Sequence, residues 1–379
     1  MTGYFDVEAV REEFPVTRRF LYFDSAHQAP LCSSVRAGFD RFLADALLTA
    51  GPKRVWLDRV GLVREQVARL IGAQADEIAF TKNTSEGLNI AANALPLEAG
   101  DNVLLIEGDH PNNTYAWLNL QRKGIEIRFV AAGPGHVDAQ TFASHIDGRT
   151  RAISVSHVTS DTGQRYGLAS IGALCRAYEI YLVVDAMQSL GTMPLDVAEM
   201  GISMLASGCH KGLLVPQGLG LFYAKGDLGD LRPAYLAGSS VTNPSRDRHA
   251  SYNAAVLRDG ARRFETGNLN LPHVHALGES LALIDRIGVG NIARHALDLG
   301  DRLIAHLEPL DIRLFGPREP DQRSHILVLD LPAAAWLDYF TGRGVRVSPQ
   351  RGGIRVSFAM FNTAAEVDQL AQIIRAGPR

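Results

Sequence analysis

Apolar segments of strand length alternate with segments of helical periodicity from residue 78 to residue 223, and this alternation limits the possible folds more than any other feature. Such a repeat is typical of a mainly parallel sheet with helices on both faces. In sheets of this kind, ligands bind at the carboxyl ends of the strands. The sequence therefore predicts an α/β protein whose functional residues follow its strands. The predicted strands are Ile78–Thr81, Val103–Ile106, Ile125–Val130, Ala152–Ser156, Tyr181–Val184, Met204–Ala206 and Leu219–Tyr223.

The chain has 379 residues, more than one average domain. A polar, loop-rich segment, Gly238–Gly260, interrupts the alternation, and long helices and two further strands follow it. This order predicts a large domain over residues 21–260 and a smaller C-terminal α+β domain over residues 261–379. The N-terminal segment, residues 1–20, is expected to pack with the small domain.

Composition narrows the class of function. Hydrophobic residues make up 46% of the chain and the net charge is −3, so there is no basic excess for a nucleic-acid partner. The sequence has no run of 18 apolar residues and no secretory h-region, and we therefore expect neither a membrane span nor export. The three cysteines are far apart and show no metal-ligand spacing. We expect a cytoplasmic protein without a bound metal.

A carboxylate and an amine stand at two of the predicted strand ends. Asp185 follows Tyr181–Val184, and Lys211 follows a small-residue turn, Ser207-Gly208-Cys209-His210. Pyridoxal 5'-phosphate requires such a pair, because a lysine forms a Schiff base with its aldehyde and an acid keeps its ring nitrogen protonated. A plain strand-end carboxylate and a surface lysine are the alternative explanation.

Two other strand ends carry polar groups. Thr84 and Ser85 lie where a strand gives way to a helix, and free backbone N–H groups with two hydroxyls can bind an anion. A plain helix N-cap explains these residues about equally well, and no GxxxxGK motif of a P-loop occurs. His110 follows Val103–Ile106, where a flat ring could lie on a bound aromatic cofactor; a structural or surface histidine is the alternative.

Gln188 and Arg355 complete the candidates taken from the residues alone. Gln188, three residues after Asp185, could donate to the phenolate oxygen of the cofactor. Arg355 lies in a predicted apolar strand, where an unpaired charge is costly. A clamp on a substrate carboxylate would account for Arg355, and an internal ion pair would account for it equally well.

Taken together, these residues resemble the class V aminotransferase family, the branch of fold-type I pyridoxal phosphate enzymes that includes cysteine desulfurases and isopenicillin-N-epimerase-like proteins. The matching motifs span most of the chain in the order of the family. They are Tyr22-Phe23-Asp24-Ser25-Ala26, Asn83-Thr84-Ser85-Glu86-Gly87, Asp109-His110, Ser156-His157-Val158, Asp185-Ala186-Met187-Gln188-Ser189, His210-Lys211, Phe264-Glu265-Thr266-Gly267-Asn268 and Ile354-Arg355-Val356-Ser357.

The resemblance implies a fold-type I architecture, pyridoxal 5'-phosphate as the cofactor and a role for each motif residue. Lys211 would carry the cofactor and move the proton, and Asp185 would pair with the ring nitrogen. The remaining cofactor contacts that it implies are His110 on the ring, Gln188 at the phenolate oxygen, and Thr84, Ser85 and His210 at the phosphate.

The resemblance also implies a substrate site and a homodimer. Arg355 would bind the carboxylate of a small amino-acid substrate, and His27 and Asn113 are further candidates in the substrate pocket. The family is dimeric, and the Gly267-Asn268 loop would reach the phosphate of the partner subunit, with Asn268 where the family commonly has a threonine.

Three departures from the family pattern bear on the reaction. The serine that commonly stands three residues before the lysine is replaced by Gly208, with Ser207 one residue further back. Ser160-Asp161 stands where desulfurases usually have an asparagine. Residues 347–353 contain no cysteine, although desulfurases carry their nucleophile in this loop. Persulfide transfer from the loop is therefore not expected, and Cys209 is expected to be a packed residue.

The common residues place a carbanion at the substrate α-carbon and leave its fate open. We expect an aminotransferase of a small amino acid. A C–S β-lyase that needs no cysteine nucleophile, or an epimerase, is the alternative within the family. An inactive scaffold protein is the alternative from another class, and the presence of both Asp185 and Lys211 argues against it.

Overall fold

The computed structural model describes residues 4–132, 136–229, 231–242 and 255–378. The predicted polar segment Gly238–Gly260 thus falls partly outside the described residues. The α-helices are α1 (Val7–Glu12), α2 (Ser33–Thr49), α3 (Lys53–Ile71), α4 (Thr84–Ala94), α5 (Pro111–Leu118), α6 (Ala139–Ala143), α7 (Leu168–Ala177), α8 (Leu271–Ile287), α9 (Val289–Leu307), α10 (Ala333–Thr341) and α11 (Ala364–Ala376). The strands are β1 (Leu21–Tyr22), β2 (Ile78–Thr81), β3 (Asn102–Ile106), β4 (Glu126–Val130), β5 (Thr150–Ser156), β6 (Tyr181–Asp185), β7 (Met204–Gly208), β8 (Gly220–Ala224), β9 (Ile326–Leu329), β10 (Val345–Arg346), β11 (Ser348–Gln350) and β12 (Gly353–Ser357).

Seven strands form the central sheet in the order β2-β8-β7-β6-β5-β3-β4. All neighbouring pairs are parallel except those of β8, which is antiparallel to both β2 and β7. In β6, Leu182 and Val184 belong to the core on one face and Val183 to the core on the other. Because side chains alternate along a strand, this pattern shows that the sheet is buried on both faces. The predicted α/β class with a mainly parallel central sheet is confirmed.

Helices form the two outer layers. Val63 and Val67 of α3, with Leu277 of α8, pack on one face of the sheet. Leu88 of α4 and Trp117 of α5 pack on the other. Within the described ranges, no helix combines the length and the apolar character that a membrane crossing requires.

A second, antiparallel sheet has the order β11-β12-β9. Its core contains side chains of α9 and α11, among them Leu303 and Leu370. The N-terminal strand β1 pairs in parallel with β10, so the start of the chain joins this C-terminal region. Helix α8, although it follows residue 260, shares the core of α2 and α3. The division at residue 260 stays a prediction.

Candidate active site

Several predicted site residues meet at the carboxyl-terminal edge of the central sheet. Asp185 ends β6, and Lys211 follows the end of β7 by three residues. Thr84 begins the helix that follows β2, and His110 precedes the helix that follows β3. The reversed strand β8 lies between β2 and β7. The sheet order therefore brings groups that are 127 residues apart in sequence to one edge.

Two cavities open at this edge and share His110, Ser160 and Lys211. The first has a volume of about 530 Å³ and the second about 710 Å³. Both volumes are typical of small-molecule sites. The first cavity is also lined by Thr84, Ser85, Asp185, Met187, Gln188 and His210. The second is also lined by Asp24, His27, Asp109, Asp161, Ser348, Arg351 and Arg355.

Asp185 is buried, with only 5% of its surface exposed. Its Oδ1 accepts a hydrogen bond of 2.8 Å from the backbone N–H of Met187. Burial raises the pKa of Asp185 to about 7, since the low-dielectric surroundings disfavour the charged form. A cation placed against this carboxylate in the first cavity would favour the ionised form. The site is thus suited to a protonated ring nitrogen.

Lys211 lies where the two cavities meet. Burial lowers its pKa to about 8, and the positive charge of Arg355 acts in the same direction. A larger share of its amine is therefore neutral near pH 7 than for a free lysine. The adjacent His210 has a pKa lowered to about 4, chiefly by burial, so its ring is neutral at pH 7.

The predicted phosphate cradle lies at the start of α4. Asn83 is the N-cap, and its side chain accepts a 2.9 Å hydrogen bond from the backbone N–H of Glu86. Thr84 and Ser85 both line the first cavity. The hydroxyl of Thr84 lies 3.0 Å from the sulfur of Met187. A helix start with two hydroxyls facing a cavity is a suitable anion site.

Ser207 does not take the place of the family serine. Its side chain is fully buried, and its hydroxyl donates to the carbonyl of Gly208 over 3.0 Å. At Gly208, a Cβ atom would lie 3.0 Å from the Met187 sulfur and 3.3 Å from Thr84 Oγ1. The Met187 sulfur also accepts from the Gly208 N–H at 3.2 Å. Met187 therefore occupies space that a side chain at residue 208 would need.

Asn113 does not line either cavity. It is buried, its Nδ2 donates to Asp109 over 3.0 Å, and its Oδ1 accepts from Ser154 over 2.6 Å. Asp109 in turn accepts hydrogen bonds from the backbone N–H groups of His110 and Ser156 at 2.7 and 2.9 Å. The structure thus places Asn113 behind the loop that carries His110, where it supports the loop and lies outside the linings of both cavities.

Gln188 lines the first cavity through a buried side chain. Its Nε2 donates to the carbonyl oxygen of Ala26 over 3.0 Å. Its Oε1 is buried and has no hydrogen-bond partner among the described residues. The amide nitrogen has a second N–H, which no hydrogen bond among the described residues uses. The phenolate contact of Gln188 stays a prediction.

Arg355 lines the second cavity and is 5% exposed. Its Nη1 donates to the carbonyl of Ser160 over 3.1 Å, and its Nη2 donates to the hydroxyl of Ser348 over 2.9 Å. Asp24 Oδ1 lies 4.0 Å from Nη2. Nε has no hydrogen-bond partner among the described residues. The guanidinium is thus fixed at the cavity wall, and His27 lies exposed on the same cavity.

Asn268 is exposed and does not line either of the two cavities of its own chain. A role in a partner subunit stays a prediction.

The segment before Arg355 is a tight hairpin. β11 and β12 pair in antiparallel fashion with Gln350 opposite Gly353, so Arg351 and Gly352 alone form the turn. All three cysteines of the chain are buried. Burial raises the pKa of Cys209 far above its usual range. No cysteine thiol therefore faces either cavity.

Sequence reasoning missed two contributors to the site. Met187 belongs to one of the motifs, but the sequence indicates no role for it, because its contact with residue 208 depends on the packing of two loops. Arg351 pairs with Asp161 across the second cavity, with 2.7 Å between Nε and Oδ2. Adjacent arginine and glycine residues between two strand-like segments were the only local signal for this turn.

The residues present fit pyridoxal 5'-phosphate. The first cavity offers an anion site at the start of α4, a buried carboxylate at Asp185 and an amine at Lys211. The shared wall opens into a second cavity that contains a fixed guanidinium, as a substrate carboxylate requires. Fold and site together define an enzyme that depends on this cofactor.

Comparison with known proteins agrees with this class. The sequence matches the family described as aminotransferase class-V over residues 22–370. An uncharacterized aminotransferase of Schizosaccharomyces pombe is 32% identical over 384 residues, covering 99% of this chain and 97% of that protein. A probable cysteine desulfurase of Methanothermobacter thermautotrophicus is 30% identical, with 97% of each chain covered.

A solved structure of a cystine C–S lyase with its product cysteine persulfide superposes with a TM-score of 0.86. It is 22% identical, and the match covers 97% of this chain and all of that one. The protein belongs to the class V aminotransferase family, which has the fold-type I architecture and depends on pyridoxal 5'-phosphate. The predicted family, fold and cofactor are confirmed.

Proposed function

We propose that the enzyme acts at the α-carbon of a small amino acid and that its reaction is transamination. The observation that supports this proposal is the position of Lys211, which lies where the cofactor cavity meets the cavity that contains Arg355. With a pKa lowered to about 8, its amine can take a proton near neutral pH and return it.

The surrounding residues would act as follows. Arg355 binds the substrate carboxylate and so directs the α-hydrogen toward Lys211. Asp185 holds the positive charge of the cofactor ring, and Thr84 and Ser85 hold its phosphate. When bound, the cofactor supplies the electron sink for the charge left on the α-carbon. For transamination, Lys211 would return the proton to the former aldehyde carbon of the cofactor, which the substrate nitrogen separates from the α-carbon.

A cysteine-independent C–S β-lyase is the second candidate. The buried cysteines and the two-residue turn at Arg351-Gly352 leave no thiol at the cavities, which argues against a protein-bound persulfide. The fold shared with a cystine C–S lyase makes direct elimination of a sulfur substituent a specific alternative. No observation favours epimerisation over these two reactions.

The experiment is incubation of the loaded enzyme with a panel of amino acids and keto acids. Conversion of the cofactor to its amine form, restored by a keto acid, supports transamination. Formation of pyruvate and sulfide from cysteine or cystine, without conversion of the cofactor to its amine form, would show instead that the enzyme is a lyase. Lys211→Ala is the control and should lose turnover. Full activity in that variant, or no spectral change with any amino acid, would contradict the proposal.

The exposed position of Asn268 supports a further part of the proposal, a homodimer in which the Gly267-Asn268 loop completes the site of the partner subunit. Sedimentation of the loaded enzyme tests the dimer. Asn268→Ala should weaken cofactor binding only if the loop reaches the second site, and a monomer with full cofactor affinity would refute it.

A further inference from the structure

The ion pair between Arg351 and Asp161 crosses the wall of the substrate cavity. Arg351 Nε donates to Asp161 Oδ2 over 2.7 Å, and both side chains line the cavity that also contains Arg355. The Arg351 side chain is half exposed, whereas that of Asp161 is 22% exposed. The carboxylate therefore holds the arginine in place from one edge, and the rest of the guanidinium remains accessible.

Most of the hydrogen-bonding capacity of Arg351 is unused. A guanidinium has five N–H donors, and only the Nε–H of Arg351 is bonded within the described part of the chain. One N–H from each of the two Nη atoms forms the edge that can bind a carboxylate in bidentate fashion. Arg355 differs, because both of its Nη atoms bond to the protein. The cavity thus contains a second guanidinium besides that of Arg355, and the Nη edge of this second group makes no hydrogen bond to the described residues.

The acids that line this cavity already have partners, so Arg351 is not needed to neutralise them all. Asp109 accepts from two backbone N–H groups and two side chains. Asp24 accepts from Ser348 over 2.7 Å and lies 4.0 Å from Arg355. Of these three acids, Asp161 alone forms an ion pair with Arg351 among the residues that the structure describes.

The space beyond the ion pair limits how far a ligand can extend. Asp161 and Arg351 also line a neighbouring cavity of about 350 Å³, whose wall includes Glu107 and Glu319. Two carboxylates there repel an anionic group that passes Arg351. An anionic side chain that enters from the substrate cavity would therefore stop at Arg351.

The backbone at Arg351 is unusual. Its φ is +51°, and that of Gly352 is +80°. Two-residue turns with two positive φ angles favour asparagine or glycine at the first position, because L side chains with a Cβ are disfavoured there. An arginine in this position is therefore a costly choice for a turn, and such outliers concentrate at functional sites.

From this arrangement we propose that Arg351 binds the second carboxylate of a substrate with two carboxylates, while Arg355 binds the first. The class is a dicarboxylic amino acid or its keto acid. Asp161 orients Arg351 and weakens its net charge. The inference rests on the proposed chemistry at the α-carbon, and it names the substrate class for that chemistry.

The test compares glutamate with glutamine, which have nearly the same shape and differ in one charge. The dissociation constants are measured from the change in the cofactor spectrum of the loaded enzyme. We expect glutamate to bind about tenfold to 100-fold more tightly than glutamine, as one charge-assisted pair provides. Arg351→Ala should bring this ratio close to one.

Asp161→Asn separates a ligand site from a merely structural ion pair. Removing the competing charge should raise the preference for glutamate, opposite in direction to Arg351→Ala. If the ion pair were only structural, both variants would shift the preference for glutamate over glutamine in the same direction. Arg313→Ala, which removes an exposed arginine paired with Asp330 over 2.9 Å, is the matched control and should keep the wild-type ratio.

Two results would overturn the inference: a wild-type ratio near one, or Arg351→Ala and Asp161→Asn that shift the ratio in the same direction. Calorimetric titration with glutarate and butyrate keeps this test apart from the proposed reaction, because neither compound can react. If no amino acid changes the cofactor spectrum, the reaction proposal fails. Glutarate binding that depends on Arg351 would still support the anion site.

Discussion

Gly208→Ala should weaken cofactor binding through a crowded contact. A Cβ at residue 208 would lie 3.0 Å from the Met187 sulfur and 3.3 Å from both His210 Nδ1 and Thr84 Oγ1. Non-bonded heavy atoms prefer about 3.5–4.0 Å, so at least one neighbour must move by several tenths of an ångström. Overpacking of this kind costs about 1–3 kcal/mol.

The cost should appear mainly as lost affinity for pyridoxal 5'-phosphate, because Thr84 and His210 are the proposed phosphate contacts. Every 1.4 kcal/mol corresponds to about tenfold in a dissociation constant, so we expect an increase of about fivefold to 150-fold. The assay is titration of the cofactor-free protein with the cofactor, followed by absorbance, with a thermal unfolding curve for each variant.

The double variant Met187→Ala/Gly208→Ala should recover most of the lost affinity, since it removes the closest contact. Gly61→Ala is the matched control: a Cβ at this exposed position in α3 would meet nothing within 4 Å. It should leave binding unchanged and stabilise the helix by about 0.5–1 kcal/mol. Wild-type affinity in Gly208→Ala, or a double variant no better than the single one, would refute the reasoning.

Four further predictions concern individual groups. The rate at which the cofactor-free protein captures the cofactor should rise with pH through a midpoint near pH 8, where Lys211 loses its proton, and a flat stopped-flow profile would contradict this. Burial holds the proton on Asp185 more tightly in the folded state than in the unfolded one, so stability of the cofactor-free protein is lost as pH rises toward 7. Relative to Asp185→Asn, the wild-type unfolding free energy should fall by about 1.4 kcal/mol per pH unit between about pH 5 and pH 7, and equal pH slopes in urea unfolding would count against it. Arg355→Ala should raise the substrate KM by about tenfold to 100-fold with a smaller change in kcat, and unchanged amino-acid binding would show that the carboxylate is held elsewhere. Glu265→Ala should destabilise the fold by about 3–5 kcal/mol, because it leaves the buried Arg64, 2.8 Å away, without its ion pair; denaturant unfolding that shows a loss below about 1 kcal/mol would disprove it.

The strand ends explain why much of the site could be predicted. Asp185, Lys211 and His110 all follow apolar segments whose strand character is visible in the sequence, and parallel strands bring their carboxyl ends to one edge. The chemistry of each side chain then follows from its type. The depressed pKa of Lys211 could not be predicted, because it depends on burial and on Arg355, which is distant in sequence.

Other features could not be predicted, because they depend on how a helix is rotated about its axis or on tertiary contacts. Asn113 looked like a pocket residue, but the orientation of α5 directs its side chain inward to Ser154. Strand β12 was predicted, but helix α10 and strand β11, and with it the hairpin, were not, since their segments are too short for a clear periodicity. Neither the ion pair between Arg351 and Asp161 nor the packing of Met187 on Gly208 has a local sequence signal.

The order of strands in the central sheet also sets the distance between the two ends of the cofactor site. Neighbouring strands lie about 4.8 Å apart, so β2 and β7, separated by β8, lie about 10 Å apart. That interval fixes how far the helix that begins at Thr84 stands from the turn that carries Lys211, whatever side chains fill the core. Substitutions in β8 can therefore be absorbed by repacking, whereas deletion of this strand would shorten the interval by one strand width and leave a rigid ligand unable to touch both ends.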